Sequence, residues 1–129
     1  MPKKSLTFYY VDESFKINDS VPMTIMINLF KELDKLGYKE IDPLIPKYNI
    51  VVFPKDMKID KLDNNLTEED FRVFDIGNKK EKAVGLLIKP DLVFRASLNE
   101  DINYFKTTKR GELKVEGLLY VKSKNKAKI

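Results

Sequence analysis

The chain has 129 residues, 43% apolar and 34% charged, with a net charge of +4. That is enough for one folded core, too apolar for a disordered chain and too charged for a membrane-spanning one. Cysteine and histidine are absent, which excludes disulfides, Cys/His zinc sites and nucleophilic systems of the Ser-His-Asp or Cys-His kind and leaves acid–base chemistry to Asp, Glu, Lys or Tyr.

In chain order, Leu6 to Val11 reads as a strand with Leu6, Phe8 and Tyr10 on one face and Thr7, Tyr9 and Val11 on the other. Asp12 to Asp19 is a loop or a short second strand around Phe15 and Ile17. The clearest element is a helix over residues 21–36. Val21, Ile25, Met26, Leu29, Phe30, Leu33 and Leu36 recur at spacings of three and four, with Lys31, Glu32, Asp34 and Lys35 opposite. Ser20 is the expected N-cap, Pro22 is tolerated in the first turn, and Gly37 is the expected stop, with Tyr38 folding back. Met23 and Ile27 widen the apolar stripe, which reads as core rather than as a partner surface. The stretch from Val21 to Phe30, broken by Thr24 and Asn28, is too short to cross a membrane.

Ile41 to Pro46 is irregular. Tyr48 to Phe53 is nearly all apolar, as expected of a strand buried on both faces and ended by Pro54. Asp56 to Asn65 reads as a polar connection. Thr67 then caps a short helical turn through Glu68, Glu69 and Asp70, which Asp75-Ile76-Gly77-Asn78 breaks. The C-terminal half reads as an antiparallel meander of Ala83 to Ile88, Leu92 to Ala96, Ile102 to Thr107 and Leu113 to Val121, with turns at Lys89-Pro90-Asp91 and Lys109-Arg110-Gly111.

The expected architecture is α+β: one main amphipathic helix packed on a mostly antiparallel twisted sheet, plus one short helix. Residues 1–122 form the single domain and 123–129 a basic flexible tail. Met1 to Lys4 followed by the short run Leu6 to Val11 does not make a signal peptide, so a cytoplasmic location without membrane partner is expected.

Charge is distributed unevenly. Residues 1–108 carry 17 basic and 18 acidic side chains, and residues 109–129 carry 7 and 2. The candidate nucleic-acid-binding residues follow from this asymmetry: Lys106, Lys109, Arg110, Lys114, Tyr120, Lys122, Lys124 and Lys126, continuing to Lys128, with Tyr104 and Phe105 interleaved. Cations meet phosphates and aromatic faces meet bases in such a surface. Arginine is scarce, no RNP-type motif is present, and Glu112 and Glu116 dilute the strand.

Other constellations point to metals. Pro90-Asp91 precedes Glu112-Leu113-Lys114 by about twenty residues, and this spacing resembles that of PD-(D/E)xK nucleases. The resemblance implies Asp91 and Glu112 as Mg²⁺ ligands, with Lys114 polarising the attacking water. It covers five residues, and the helix and strand that follow in that family have no counterpart here. A turn at Pro90-Asp91 and an exposed strand face at Glu112 and Lys114 is the simpler reading. Asp12 at the end of the first strand looks like the metal-binding aspartate that begins some RNase H-like folds, one of the several such a site needs. Asp60, Asp63, Asn64, Asn65 and Glu68 suggest calcium but lack EF-hand spacing. No phosphate-binding glycine motif is present, and no cofactor is implied.

The functional expectation is a non-enzymatic macromolecule-binding accessory protein whose partner is nucleic acid. Two alternatives stand beside it: a protein-interaction or oligomer-forming subunit, and a Mg²⁺-dependent nuclease with a degenerate site.

Overall fold

A computed structural model describes residues 6–36 and 48–115. Among them are one helix and nine strands. The strands form two sheets, so the architecture is mixed α and β with the sheets dominant.

The first sheet has the order β2-β1-β3-β6-β5. β1 (Leu6–Val11) turns back into β2 (Ile17–Asn18). α1 (Met23–Lys35) follows and leads to β3 (Tyr48–Pro54), which lies parallel to β1, with Leu6 opposite Tyr48 and Tyr10 opposite Val52. β6 (Lys82–Ile88) pairs antiparallel with β3 on one side and with β5 (Phe71–Gly77) on the other.

The second sheet has the order β4-β7-β8-β9 and is antiparallel throughout. It consists of β4 (Lys58–Lys61), β7 (Val93–Leu98), β8 (Asp101–Thr107) and β9 (Leu113–Val115).

Strand alternation divides the interior in two. From β3, Val51 and Phe53 join Val11, Phe71, Leu86, Ile88, Phe94, Ala96, Phe105 and Leu113 in a buried cluster between the sheets. Ile50 and Val52, pointing the other way, join Leu6, Ile25, Leu29, Leu33, Ile76, Ala83 and Leu87 in a second cluster. The apolar run of β3 is therefore buried on both faces, as its composition requires. The inter-sheet cluster is aromatic. Phe94 stacks on its ladder partner Phe105 with centroids 5.3 Å apart, and Phe53 meets both edge-on at 6.1 Å. Such pairs contribute roughly 0.5–1.5 kcal/mol each beyond the area they bury.

Several expectations are corrected. Pro22 occupies the N-cap of α1, and no side chain caps the helix, so Ser20 does not play that part. The expected short second helix is a single turn: the Asp70 and Phe71 amides both donate to the Thr67 carbonyl at 3.0 Å, and the Thr67 hydroxyl donates back to Asp70 Oδ2 at 3.1 Å. Tertiary pairing with β6 then draws residues 71–77 into β5 rather than into a helix broken at Asp75. The supposed polar connection contains the edge strand β4.

The expected meander holds for β7, β8 and β9 but not for β6, which belongs to the other sheet. Lys89-Pro90-Asp91 is thus a crossing between sheets, with Asp91 left-handed at φ 65°. Buried Thr107 secures it: its hydroxyl donates to the Lys89 carbonyl at 3.0 Å and accepts from the Leu92 amide at 3.1 Å. The expected helix stop at Gly37 and Tyr38, the irregular Ile41–Pro46, and everything beyond Val115 lie outside the described residues.

Candidate nucleic-acid interface and a lysine-lined cleft

Four of the eight sequence-predicted site residues fall on described chain, and all four sit on the β8–β9 hairpin. Lys106 and Lys114 are direct partners across the ladder. Because Phe105, Thr107 and Leu113 point into the sandwich, Lys106 and Lys114 emerge together on its outer face, exposed. Lys109 and Arg110 are exposed in the connecting turn. Tyr120, Lys122, Lys124 and Lys126 lie outside the described residues.

The turn is held in place. The Thr108 amide donates to the Glu112 carbonyl at 2.8 Å, the Gly111 amide donates to the Thr108 carbonyl at 3.0 Å, and Gly111 takes the left-handed φ of 83° that a residue with Cβ resists. Tyr9 of β1 donates its hydroxyl to the Gly111 carbonyl at 2.8 Å, tying the hairpin tip to the first sheet. Burial raises the Tyr9 phenol above its ordinary value, and the charges of Glu112 and Asp19 push the same way.

Charge on this face is partly compensated. Lys114 Nζ lies 3.9 Å from Glu112 Oε2, with both groups more than half exposed, a geometry that contributes little. Arg95 on β7 hydrogen-bonds to Asp60 of β4, and that bond is the main reason its guanidinium is raised above the usual value. The interleaved aromatics are placed differently from the sequence expectation. Phe105 is fully buried in the core and Tyr104 is 2% exposed, so neither offers a ring face for stacking. The alternation of apolar and polar residues along β8 concealed this, since an aromatic looks the same in sequence whether it faces a base or a core.

The acidic constellations resolve into turn chemistry. Asp12 Oδ1 accepts the Ser14 and Lys16 amides at 2.9 and 3.1 Å, closing the β1–β2 connection. The hydrogen bond from Lys16 is the chief cause that holds the Asp12 carboxyl below its ordinary value. Asp63 Oδ1 accepts the Asn65 amide at 2.9 Å. Asp91 sits in the inter-sheet crossing. Among the described residues no three acidic side chains are grouped to hold a metal ion.

Two further surfaces stand out, one that sequence read as core and one that it did not pick out. On α1, Met23, Ile27 and Phe30 are 73%, 53% and 54% exposed, while Met26 is partly buried against the core. The widened stripe is therefore not all core: it is two stripes, one buried and one open. Beside α1 lies a cleft of about 520 Å³ between the helix and the β5–β6 hairpin. Lys31 and Lys35 line it from α1, Lys55 from the end of β3, and Lys82 from β6. Spacings of 4, 20 and 27 residues give no local signal, and only the topology brings these lysines together.

The chain matches no protein-family model, and no curated protein or solved structure is significantly similar to it. Among the described residues no helix is long and apolar enough to cross a membrane.

Proposed function

We propose that this chain is a non-enzymatic binding domain whose partner is nucleic acid, engaged through the β8–β9 hairpin and the basic residues that follow it in sequence. The observation that carries the reading is the Lys106–Lys114 pair. Like charges directly opposite in an antiparallel ladder are destabilising, and here two lysines hold that register on an exposed face with Lys109 and Arg110 beside them. A row of phosphates relieves the repulsion and releases counterions on binding. Lys122, Lys124 and Lys126 extend the same charge, and Tyr120 is the one aromatic of the set that remains a candidate for stacking. With lysines far outnumbering arginines, Phe105 turned into the core and Tyr104 covered, contact is to backbone phosphate and discriminates weakly between sequences.

The test is a fluorescence-anisotropy titration of the full chain with single-stranded RNA and DNA oligonucleotides between about 50 and 200 mM salt. Binding that weakens steeply with salt, and weakens further when residues 123–129 are deleted, is expected. Absence of binding at the lowest salt would overturn the reading.

A second reading has its own observation: the open stripe of Met23, Ile27 and Phe30 suits a protein partner or a second copy of the chain. It predicts a solution mass above the 15.1 kDa of one chain, and a single-chain mass at high concentration would remove self-association.

A further inference from the structure

We infer that the cleft between α1 and the β5–β6 hairpin is a binding site for a small phosphorylated molecule. Three features of its construction lead there. First, it is concave and of ligand size. Ile76 and Ala83 belong to the buried cluster beneath the helix and form an apolar floor, and the volume of about 520 Å³ falls in the range of small-molecule sites.

Second, its cations are in excess and mostly unengaged. Four lysines line it against two acids, Glu32 and Asp75. Glu32 is already taken by Lys35, at 3.0 Å. Among the described residues, Lys31, Lys55 and Lys82 have no carboxylate within salt-bridge distance. Lys55 follows Pro54 and Lys82 precedes Ala83, and Pro54 and Ala83 are the last pair of the β3–β6 ladder. Two ammonium groups therefore flank one strand end beside Gly77.

Third, the rim is fixed before any ligand arrives. Gly77 adopts φ 107°, and a Cβ there would lie 2.2 Å from the Glu81 carbonyl oxygen. The Asn78 side-chain oxygen accepts the Lys80 and Glu81 amides at 2.8 and 2.9 Å, which leaves its amide hydrogens available. Glu81 in turn accepts a hydrogen bond from the Thr24 hydroxyl of α1, joining the two walls at one end.

The donor set selects the ligand. Ammonium groups act as point charges with several hydrogens each, and several of them around one hollow suit the multiple negative charges of a phosphorylated molecule. Asp75 on the hairpin wall and the side-chain carbonyl of Asn28 on the helix wall add acceptors to the cleft, which suits hydroxyl groups on the molecule that carries the phosphate.

The proposal is tested by following backbone amide shifts of the full chain during titration with inorganic pyrophosphate and, separately, a nucleoside diphosphate. Saturable shifts confined to residues 28–35, 55 and 75–83 are expected. A Lys55→Ala/Lys82→Ala variant that melts like the unmodified chain should bind roughly tenfold more weakly, and a Lys106→Ala/Lys114→Ala variant should bind as before. The second variant separates this site from the hairpin, whose own function stands or falls on oligonucleotide binding. No shifts at millimolar ligand, or shifts spread evenly over lysines of both surfaces, would overturn the assignment.

Discussion

On the β8–β9 hairpin, four cations lie along an exposed strand pair whose other face is buried core. In the cleft, four lysines reach a concave floor from a helix and two strand ends. Both places gather four cations, three lysines and an arginine on the hairpin and four lysines in the cleft, but shape and support differ. A row of charges along a strand matches an extended polyanion, and charges around a hollow match a compact one. The hairpin draws its rigidity from Phe105 and Leu113 beneath it and from Tyr9 at its tip, the cleft from a glycine-dependent turn and one side-chain hydrogen bond across its mouth.

The largest effect is expected in the core beneath the hairpin. Phe105→Ala removes a fully buried ring that touches Phe15, Phe53 and Phe94, and a loss of about 3–5 kcal/mol in urea unfolding is expected. Gly77→Ala places a Cβ against the Glu81 carbonyl at a positive φ. It should lower stability by about 1–3 kcal/mol and weaken pyrophosphate binding while leaving oligonucleotide affinity intact. An equal loss of both ligands would show that the two surfaces are not independent.

Tyr9→Phe sharpens the contrast from the hairpin side, leaving the Gly111 carbonyl without its donor at about 0.5–1.5 kcal/mol. Because burial raises the Tyr9 phenol in the folded chain, its contribution is complete below the unfolded phenol's value near 10 and is lost as pH rises through the higher native value. The variant should flatten that part of the alkaline stability loss in a pH series of melts.

Lys114→Glu gives the smallest and most diagnostic change in stability. It turns a repulsive cross-strand pair into an attractive one, so stability should rise by about 0.2–1 kcal/mol while oligonucleotide affinity falls. Loss of both together would mean that the lysine pair serves the fold.

Much of the fold was legible. The face assignment of β1, the periodicity of α1 and the unbroken apolar run of β3 each follow from local pattern, because one residue on each face of a strand meets one core. What escaped has physical causes. β5 carries Arg72 and Asp75 among Phe71, Val73, Phe74 and Ile76, and the capping residues just before it signal a helix that pairing with β6 overrides. β4 offers only Ile59 to the interior, too little for a pattern. Pro90-Asp91 announces a turn, but nothing local tells a hairpin from a crossing between sheets. The candidate site was legible only as charge: sequence located the hairpin lysines, but it could not tell that Phe105 faces inward or that Lys31, Lys35, Lys55 and Lys82 share one hollow.

The most direct test is the dependence of single-stranded oligonucleotide affinity on salt, compared between the unmodified chain and a Lys106→Ala/Lys114→Ala variant of equal thermal midpoint. If these two lysines meet phosphates, the logarithmic slope shrinks by about 1.4, or roughly 0.7 per lost contact. Superimposable slopes and affinities would contradict the hairpin as the binding face.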